Sequence, residues 1–386
     1  MLVVDNGDVN AGYGRQSELK YETAMKAMAE MGYSAVNVGE QDLLLGVDYL
    51  KYVSDFTGIR LISANLVDDE GQPVFEQFVL ERLNAEDTSF TAAVIGIISA
   101  EFKETVEDVN PWLRVDDYEP TLERLMDELR SQADVLVVLA HMSDQEARAL
   151  AASFPQIDLI VVSHSGDDPF PFPESEGEVP LAYAGTKGMH VGVIDLAVKE
   201  SPARMESYVV RALDQGLADS QRMTVILDDY QKMLKIENLL ESYPRRDYGE
   251  AEFVGDKGCQ RCHSFSTWRF RGSKHAHAFD PIAEKGRHYD PECVRCHTVG
   301  FGYKSGFITV EATPDLQHVG CENCHGAGSR HIEQPMDLEY GEVKQETCKS
   351  CHDPENSPKF KYDDYITQIK HNSFFLCSAK ICHWLD

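Results

Sequence analysis

Cys259-Gln-Arg-Cys262-His263, Cys293-Val-Arg-Cys296-His297, Cys321-Glu-Asn-Cys324-His325 and Cys348-Lys-Ser-Cys351-His352 follow one another in the last third of a 386-residue chain. Each is a C-x-x-C-H, the spacing at which haem is attached covalently. Two thiols three positions apart on a short turn can each form a thioether with one haem vinyl group. The histidine that follows directly then lies under the iron as an axial ligand. Cys-x2-Cys pairs also build structural zinc sites, and ten cysteines could form a disulfide framework. Neither reading explains a histidine directly after the second cysteine of every pair.

A looser pair closes the chain: Cys377-Ser-Ala-Lys-Ile-Cys382-His383, a C-x4-C-H. A disulfide is the plain alternative there. The retained Cys-His ending favours a fifth haem c beside the four, placed where it could exchange electrons with another molecule. Outside the motifs this region holds His275, His277, His288, His318, His331 and His371, six imidazoles as distal ligands for five irons, and Met336 is its one methionine. Bis-histidine ligation gives lower potentials than a His/Met pair, so the pattern implies a low-potential electron-transfer domain. About 128 residues around five haems is little protein per cofactor, and the apo-protein is expected not to fold.

The chain is long enough for two domains, and composition divides it sharply. All ten cysteines lie from Cys259 onward. Residues 1–258 carry 21 Lys and Arg against 48 Asp and Glu, whereas the remainder carries 15 against 17. The acidity therefore belongs to the first part, where it argues against nucleic acid or an anionic membrane as partner. It fits a solubilising surface or a docking face for a cationic partner. No run of 18 apolar residues exists to span a membrane. The chain opens on Met1-Leu-Val-Val-Asp5 as if a strand were already under way. Haem of this kind is attached outside the cytoplasm, so the expectation is a protein exported to the periplasm or beyond, whose leader is not in this sequence.

In the first part, short apolar runs alternate with helical periodicity. Strands are expected at 2–5, 35–38, 60–64, 91–99, 134–140, 158–163, 181–184 and 190–198. Helices are expected at 18–31, 119–130 and 144–152. This predicts an α/β layered domain over residues 1–200. A helical connection over 201–248 follows, carrying Met223, Leu227, Tyr230 and Leu234 at helical spacing. The mostly irregular and α-helical haem domain then fills 249–386. In layered α/β folds ligands gather at the loops after the strand carboxyl ends. Those loops carry Asp5-Asn-Gly-Asp8-Val-Asn10, Val38-Gly-Glu40-Gln41-Asp42, Ala140-His141-Met142 and Ser163-His164-Ser165-Gly166.

Together with Ser63-Ala-Asn65-Leu66, this order resembles the 5′-nucleotidase-type metallophosphoesterases over roughly residues 1–200. The resemblance implies two metal ions and hydrolysis of phosphate esters by metal-activated water. It also shows what has changed. The family's D-x-H ligand pair would precede the first residue of this sequence. Asp8 matches the aspartate that bridges the metals, and His141 matches a histidine ligand. The G-N-H-[ED] segment reads Gly39-Glu40-Gln41-Asp42, which replaces both the asparagine ligand and the catalytic histidine. The G-H-x-H segment keeps His164 and has Gly166 in place of the second histidine. Asp8, His141 and His164 survive as metal ligands, with Glu40 a substitute oxygen donor, and the domain reads as a scaffold without catalysis.

Trp268…Ser273-Lys-His275-Ala-His277-Ala, Cys293-Val-Arg-Cys-His-Thr-Val-Gly300-Phe, Val319-Gly-Cys-Glu-Asn-Cys-His-Gly326-Ala-Gly-Ser-Arg-His331 and Tyr365-Ile-Thr-Gln-Ile-Lys-His371 resemble the cytochrome c-554 family of multihaem proteins. By position, the resemblance implies His275, His331 and His371 as the foremost distal ligands, with His277, His318 and His288 after them. The expected protein is an electron carrier that serves other redox proteins or cytochromes in anaerobic respiration. End-to-end association into a filament is an expectation from the haem at the C-terminus. Two alternatives stay open: a haem enzyme acting on hydroxylamine or nitrogen oxides, and a redox-linked metallophosphoesterase.

Overall fold

Residues Val135–Ser143, apolar without a break as far as Ala140, form a strand buried at eight of its nine positions. A strand buried on both faces belongs inside a parallel sheet covered on each side, and the first part of the chain is built around it. In the computed structural model the described residues are 1–85, 88–166, 168–170, 174–177, 179–198, 203–336, 340–341, 343–354 and 356–371. The chain divides into two units, Met1–Tyr230 and Gln231–Asp386. The division falls inside the helix Gln221–Ile236.

In the first unit the strands are β1 (Val4–Asp5), β2 (Ala35–Asn37), β3 (Leu61–Ile62), β4 (Leu66–Asp68), β5 (Phe78–Ala85), β6 (Thr88–Ile98), β7 (Leu113–Val115), β8 (Val135–Ser143), β9 (Leu159–His164), β10 (Glu174–Glu176), β11 (Val179–Ala182), β12 (His190–Ala197) and β13 (Arg204–Ala212). A six-stranded sheet runs β10-β11-β9-β8-β6-β5, and a parallel three-stranded sheet runs β1-β2-β3. Its central strands β6, β8, β9 and β11 are parallel, with β5 and β10 antiparallel at the edges.

Alternation divides each central strand between two cores. Ala93, Ile95, Ile97, Leu136, Val138 and Ala140 face one way and pack with Leu122, Leu125, Met126, Leu129 and Leu150 from the helices Tyr118–Leu129 and Asp144–Ser153. Ala92, Val94, Val135, Val137 and Leu139 face the other way and meet Ile194, Leu196, Met205 and Tyr208 of the β12–β13 ribbon. This is the α/β layered architecture that the alternating pattern predicts. The Asn37 amide, fully buried, donates to the Ile97 and Leu139 carbonyls and so ties β2 to the ends of β6 and β8.

Several elements depart from the expected segments, three of them at length. The expected helical connection over 201–248 contains β13, whose exposed Arg204, Glu206 and Arg211 hide an inner row of Met205 and Tyr208. β5, an edge strand, opens on Phe78-Val-Leu80 and is interrupted by the charged Glu81-Arg82. Val47–Thr57 is a helix although its Tyr, Phe, Val and Thr have modest helix propensity, because Val47, Leu50 and Val53 reach the core together.

The second unit has short helices joined by turns. Its buried core holds Leu240, Phe279, Ile282, Val294, Val299, Phe301, Phe307 and Leu316. The four regular motifs lie on or directly beside short helices at Asp256–Gln260, Pro291–His297, Cys321–His325 and Gln345–Lys349.

Candidate metal and haem centres

The loops after β1 and β2 and the carboxyl-terminal ends of β8 and β9 bring Asp8, Glu40, His141 and His164 together, with one donor atom from each within 4.8 Å of the others. His141 Nε2 lies 2.8 Å from Glu40 Oε2 and 2.9 Å from His164 Nε2. Asp8 Oδ2 is 3.5 Å from His141 Nε2 and 3.6 Å from His164 Nε2. His141 and Glu40 are buried, whereas Asp8 and His164 keep partial access to solvent.

Backbone groups hold His141 and Asp8, and the Gln41 side chain holds Glu40. His141 Nδ1 donates to the Asn6 carbonyl at 2.7 Å, which leaves Nε2 as the nitrogen that faces the cluster. Asp8 Oδ1 accepts the Gln41 N–H, and Glu40 Oε1 accepts the Gln41 amide, so one oxygen of each carboxylate is left over. Asp8 sits at φ 58°, a left-handed conformation costly for a residue with a side chain. The buried Asp42 carboxylate holds it there by accepting the N–H groups of Asp8, Asn10 and Gly39. Gly39 admits no side chain: a Cβ there would stand 2.2 Å from Asp8 Oδ1 and 2.5 Å from His141 Cε1. The Phe102 ring covers both imidazoles at 4.8 and 5.5 Å.

The electrostatics follow. Burial would lower the His141 pKa, but hydrogen bonds and charge from Asp8 and Glu40 raise it to about 10. Burial would raise Glu40, yet hydrogen bonds from His141 and His164 hold it well below the usual carboxylate range. Burial, reinforced by the Asp8 charge, lifts Asp42 to about 7 against the lowering effect of its three N–H bonds.

In the second unit the motifs interlock. The Cys259 and Cys321 thiols lie within hydrogen-bonding reach, as do those of Cys296 and Cys351. None of the eight described cysteines, which also include Cys262, Cys293, Cys324 and Cys348, forms a disulfide. Asp256, beside the first motif, accepts the Cys321 N–H at 2.9 Å. Glu322, inside the third motif, accepts from Val254, Gly255 and Gly328. This exchange of carboxylates fixes the first and third motifs against each other.

The histidines fit haem. An imidazole nitrogen sits about 2 Å from its metal with the ring centre about 1 Å beyond, so trans imidazoles on one iron put ring centres about 6 Å apart. His263 and His331 are 6.2 Å apart, His352 and His275 5.9 Å, and His325 and His371 6.1 Å. Each pair joins a motif histidine to one outside the motifs. The Nδ1 atoms of His297 and His325 face the carbonyls of Ala278 and Gly341, and His352 Nδ1 faces Ser357 Oγ, which turns Nε2 toward a metal. The buried Nδ1 atoms of His275, His288 and His331 have no hydrogen-bond partner. His277 and His318 lie 6.1 Å apart, but neither follows a Cys pair. Among the described residues no imidazole faces His297 at the spacing of the other three. Cys377, Cys382 and His383 lie outside the described residues.

Asp42, Asn37, Phe102 and Glu322 carry no role in the sequence reading. Asp42 and Glu322 each stand within two residues of a donor, in Gly39-Glu40-Gln41-Asp42 and Cys321-Glu322, which is the local signal that could have marked them.

Comparison with known proteins reaches both units. Residues 258–326 match the family described as cytochrome c554 and c-prime. Cytochrome c-554 of Nitrosomonas europaea is 26% identical over 175 residues, covering 31% of this chain and 74% of that protein. The 2′,3′-cyclic-nucleotide 2′-phosphodiesterase/3′-nucleotidase of Salmonella typhimurium is 22% identical over 274 residues, and the match spans 61% of this chain but only 42% of that protein. The calcineurin-like phosphoesterase YfkN of Bacillus subtilis superposes with a TM-score of 0.51 at 17% identity, covering 60% of this chain and 83% of that one. The first unit therefore has a calcineurin-like phosphoesterase fold, and the second contains a c-type cytochrome segment, which implies haem c.

Proposed function

We propose that this chain, a c-type cytochrome segment joined to a phosphoesterase fold, is an exported one-electron carrier. It would hold four haems at its regular motifs and a fifth at Cys377, Cys382 and His383. The observation that carries this reading is the pairing of motif and non-motif histidines about 6 Å apart at three of the four regular motifs. Cysteines of each motif would form the thioethers, and His263, His297, His325, His352 and His383 would each ligate the iron of their motif. His331, His275 and His371 would serve as further ligands at the first, fourth and third motifs, and His277, His288 and His318 are the remaining imidazoles. Bound haem would supply the one-electron couple. The protein's part is to fix the imidazole tautomers, to hold the first and third motifs together, and to keep water from the ligands. Partners are other redox proteins or further copies of this chain, in the periplasm or outside the cell, in an anaerobic respiratory setting.

The first unit serves in this reading as a scaffold that does not hydrolyse phosphate esters, because Gln41 stands where the related enzymes have their catalytic histidine. Haem count and spin state of the purified holoprotein test the proposal. Five haems per chain, mainly low-spin, are expected; fewer than four, or a mainly high-spin spectrum, would refute it. One observation favours a second reading: the His297 ring has no facing imidazole among the described residues. An iron held there by one protein ligand would be high-spin and would bind a small nitrogen compound. A spectral change on adding hydroxylamine would favour that reading.

A further inference from the structure

Tyr340 and Gly341, which belong to no motif, touch the histidines assigned above to two different haem sites. We propose that this dipeptide is the positioning element that couples the first site to the third, the Tyr340 ring fixing His331 and the Gly341 carbonyl fixing His325. Its role rests on the haem reading above.

Three contacts tie the dipeptide to the third site. His325 Nδ1 donates to the Gly341 carbonyl at 2.7 Å, which leaves Nε2 free for a metal. The Tyr340 hydroxyl donates to the carbonyl of Gly326, the residue directly after His325. The Tyr340 and His325 ring centres lie 6.3 Å apart, with planes 28° from parallel. Another contact reaches the first site. Tyr340 lies face to face with His331, ring centres 4.6 Å apart and planes 7° from parallel.

The stack matters because of what His331 lacks. Its buried Nδ1 has no hydrogen-bond partner among the described residues, whereas those of His297, His325 and His352 each face an oxygen. A ligating imidazole commonly has its orientation fixed through that second nitrogen. At His331 the phenol ring supplies the constraint instead, since turning the imidazole would forfeit the aromatic contact. An aromatic face also covers His352, where Phe360 lies 4.4 Å away and 7° from parallel. Phe360 has no hydroxyl, but Tyr340 is anchored by its own to the third motif. The backbone fits this task. Gly341 lies at φ 83°, where a side chain would be strained, and a Cβ there would stand 2.6 Å from His325 Nδ1. A disturbance at either site therefore reaches the other through two adjacent residues.

The test uses oxidised holoprotein. Cyanide must displace an imidazole to bind low-spin iron, so its affinity reports how firmly that imidazole is held. The EPR signals of the first, third and fourth haems are assigned with His331→Ala, His371→Ala and His275→Ala. Tyr340→Leu should tighten cyanide binding at the first haem about two- to tenfold, the worth of one aromatic pair, and shift its low-spin EPR signal. Tyr340→Phe keeps the ring and should stay within about twofold of wild type there. Gly341→Ala acts through the other end of the dipeptide and serves should the leucine variant fail to load haem. It should shift the first and third signals together and leave the fourth unchanged. Wild-type cyanide affinity and EPR signals in Tyr340→Leu, or a shift of the third haem alone in Gly341→Ala, would overturn the proposal and leave the haem reading standing. A wild-type holoprotein without low-spin haem would overturn both.

Discussion

Removing the Glu322 carboxylate should loosen the second unit and disturb its first haem site. The side chain is 2% exposed and accepts the Val254 N–H at 3.0 and 3.1 Å, the Gly255 N–H at 2.8 Å and the Gly328 N–H at 2.7 Å. Val254 and Gly255 lead into the helix of the first motif, and Gly328 leads into the helix that carries His331. One side chain thus anchors both segments whose histidines, His263 and His331, face each other. Glu322→Ala strands three buried N–H groups at about 1–3 kcal/mol each. Burial raises the Glu322 pKa, so the ionised carboxylate has a desolvation cost that its removal returns. The lower end of the sum, about 3 kcal/mol, is therefore the expected loss. Glu322→Gln keeps one acceptor oxygen and should cost about 1–3 kcal/mol. With a urea slope of about 2 kcal/mol/M, the alanine variant should unfold about 1–2 M urea earlier. The Soret band is the right probe, because it reports only on the haem-bearing unit. The same variant should show one haem moving from low to high spin as His331 loses its anchor. An unfolding midpoint within about 0.2 M of wild type, with an unchanged spin state, would refute this account.

Three further outcomes are expected. Gly39→Ala should abolish high-affinity metal binding and cost the first unit about 1–3 kcal/mol through overpacking, since its Cβ would overlap Asp8 and His141; calorimetry and thermal melts check both. Stripping metal from protein held at a hundred times the dissociation constant should remove about 2.7 kcal/mol, a fall in melting temperature of about 5–10 °C for a unit of this size; an unchanged melt after chelation would contradict it. Burial raises Asp158 above its ordinary range although the Leu136 and Ala203 N–H groups pull it down, so the folded state binds this proton more tightly than the unfolded one. Its contribution is then fully present below the unfolded pKa and is lost as pH rises through the folded one. Asp158→Asn should flatten that part of the curve, measured by urea unfolding across the acid range.

The layered fold was legible where a strand is buried on both faces, as in Val135–Ser143 and Leu159–His164, because an apolar run needs no partner to be recognised. It was hidden where charged residues line the solvent face of a strand. In β13, Arg204, Glu206 and Arg211 mask an inner row that acquires meaning only opposite β12. The candidate sites divide in the same way. A C-x-x-C-H is complete in five residues, so every motif could be read directly. Asp8, Glu40, His141 and His164 span more than 150 positions, and their distance from one another in sequence made them look scattered. Convergence is a property of two parallel sheets, the one with β1 and β2 and the one with β8 and β9, whose strand ends deliver all four to one place.

Asp42 and Glu322 show how both units solve one problem with one device. A ligand loop has few neighbours to hold it, and its backbone N–H groups would otherwise be left without acceptors. In each unit a buried carboxylate near a donor in sequence collects three such groups from chain segments that converge on the site. The arrangement separates holding from binding: Asp42 and Glu322 spend their oxygens on the backbone, while Asp8 and Glu40 each keep one oxygen for the site. The consequences differ. The first unit has two extensive cores around its main sheet, so its clamp refines a loop that the fold already supports. The second has one small core, and its short helices depend on the clamp for their relative placement. Asp42→Asn should therefore weaken metal binding more than it weakens folding, whereas Glu322→Gln should impair folding and ligation together. Equal effects on stability from the two substitutions would break this argument.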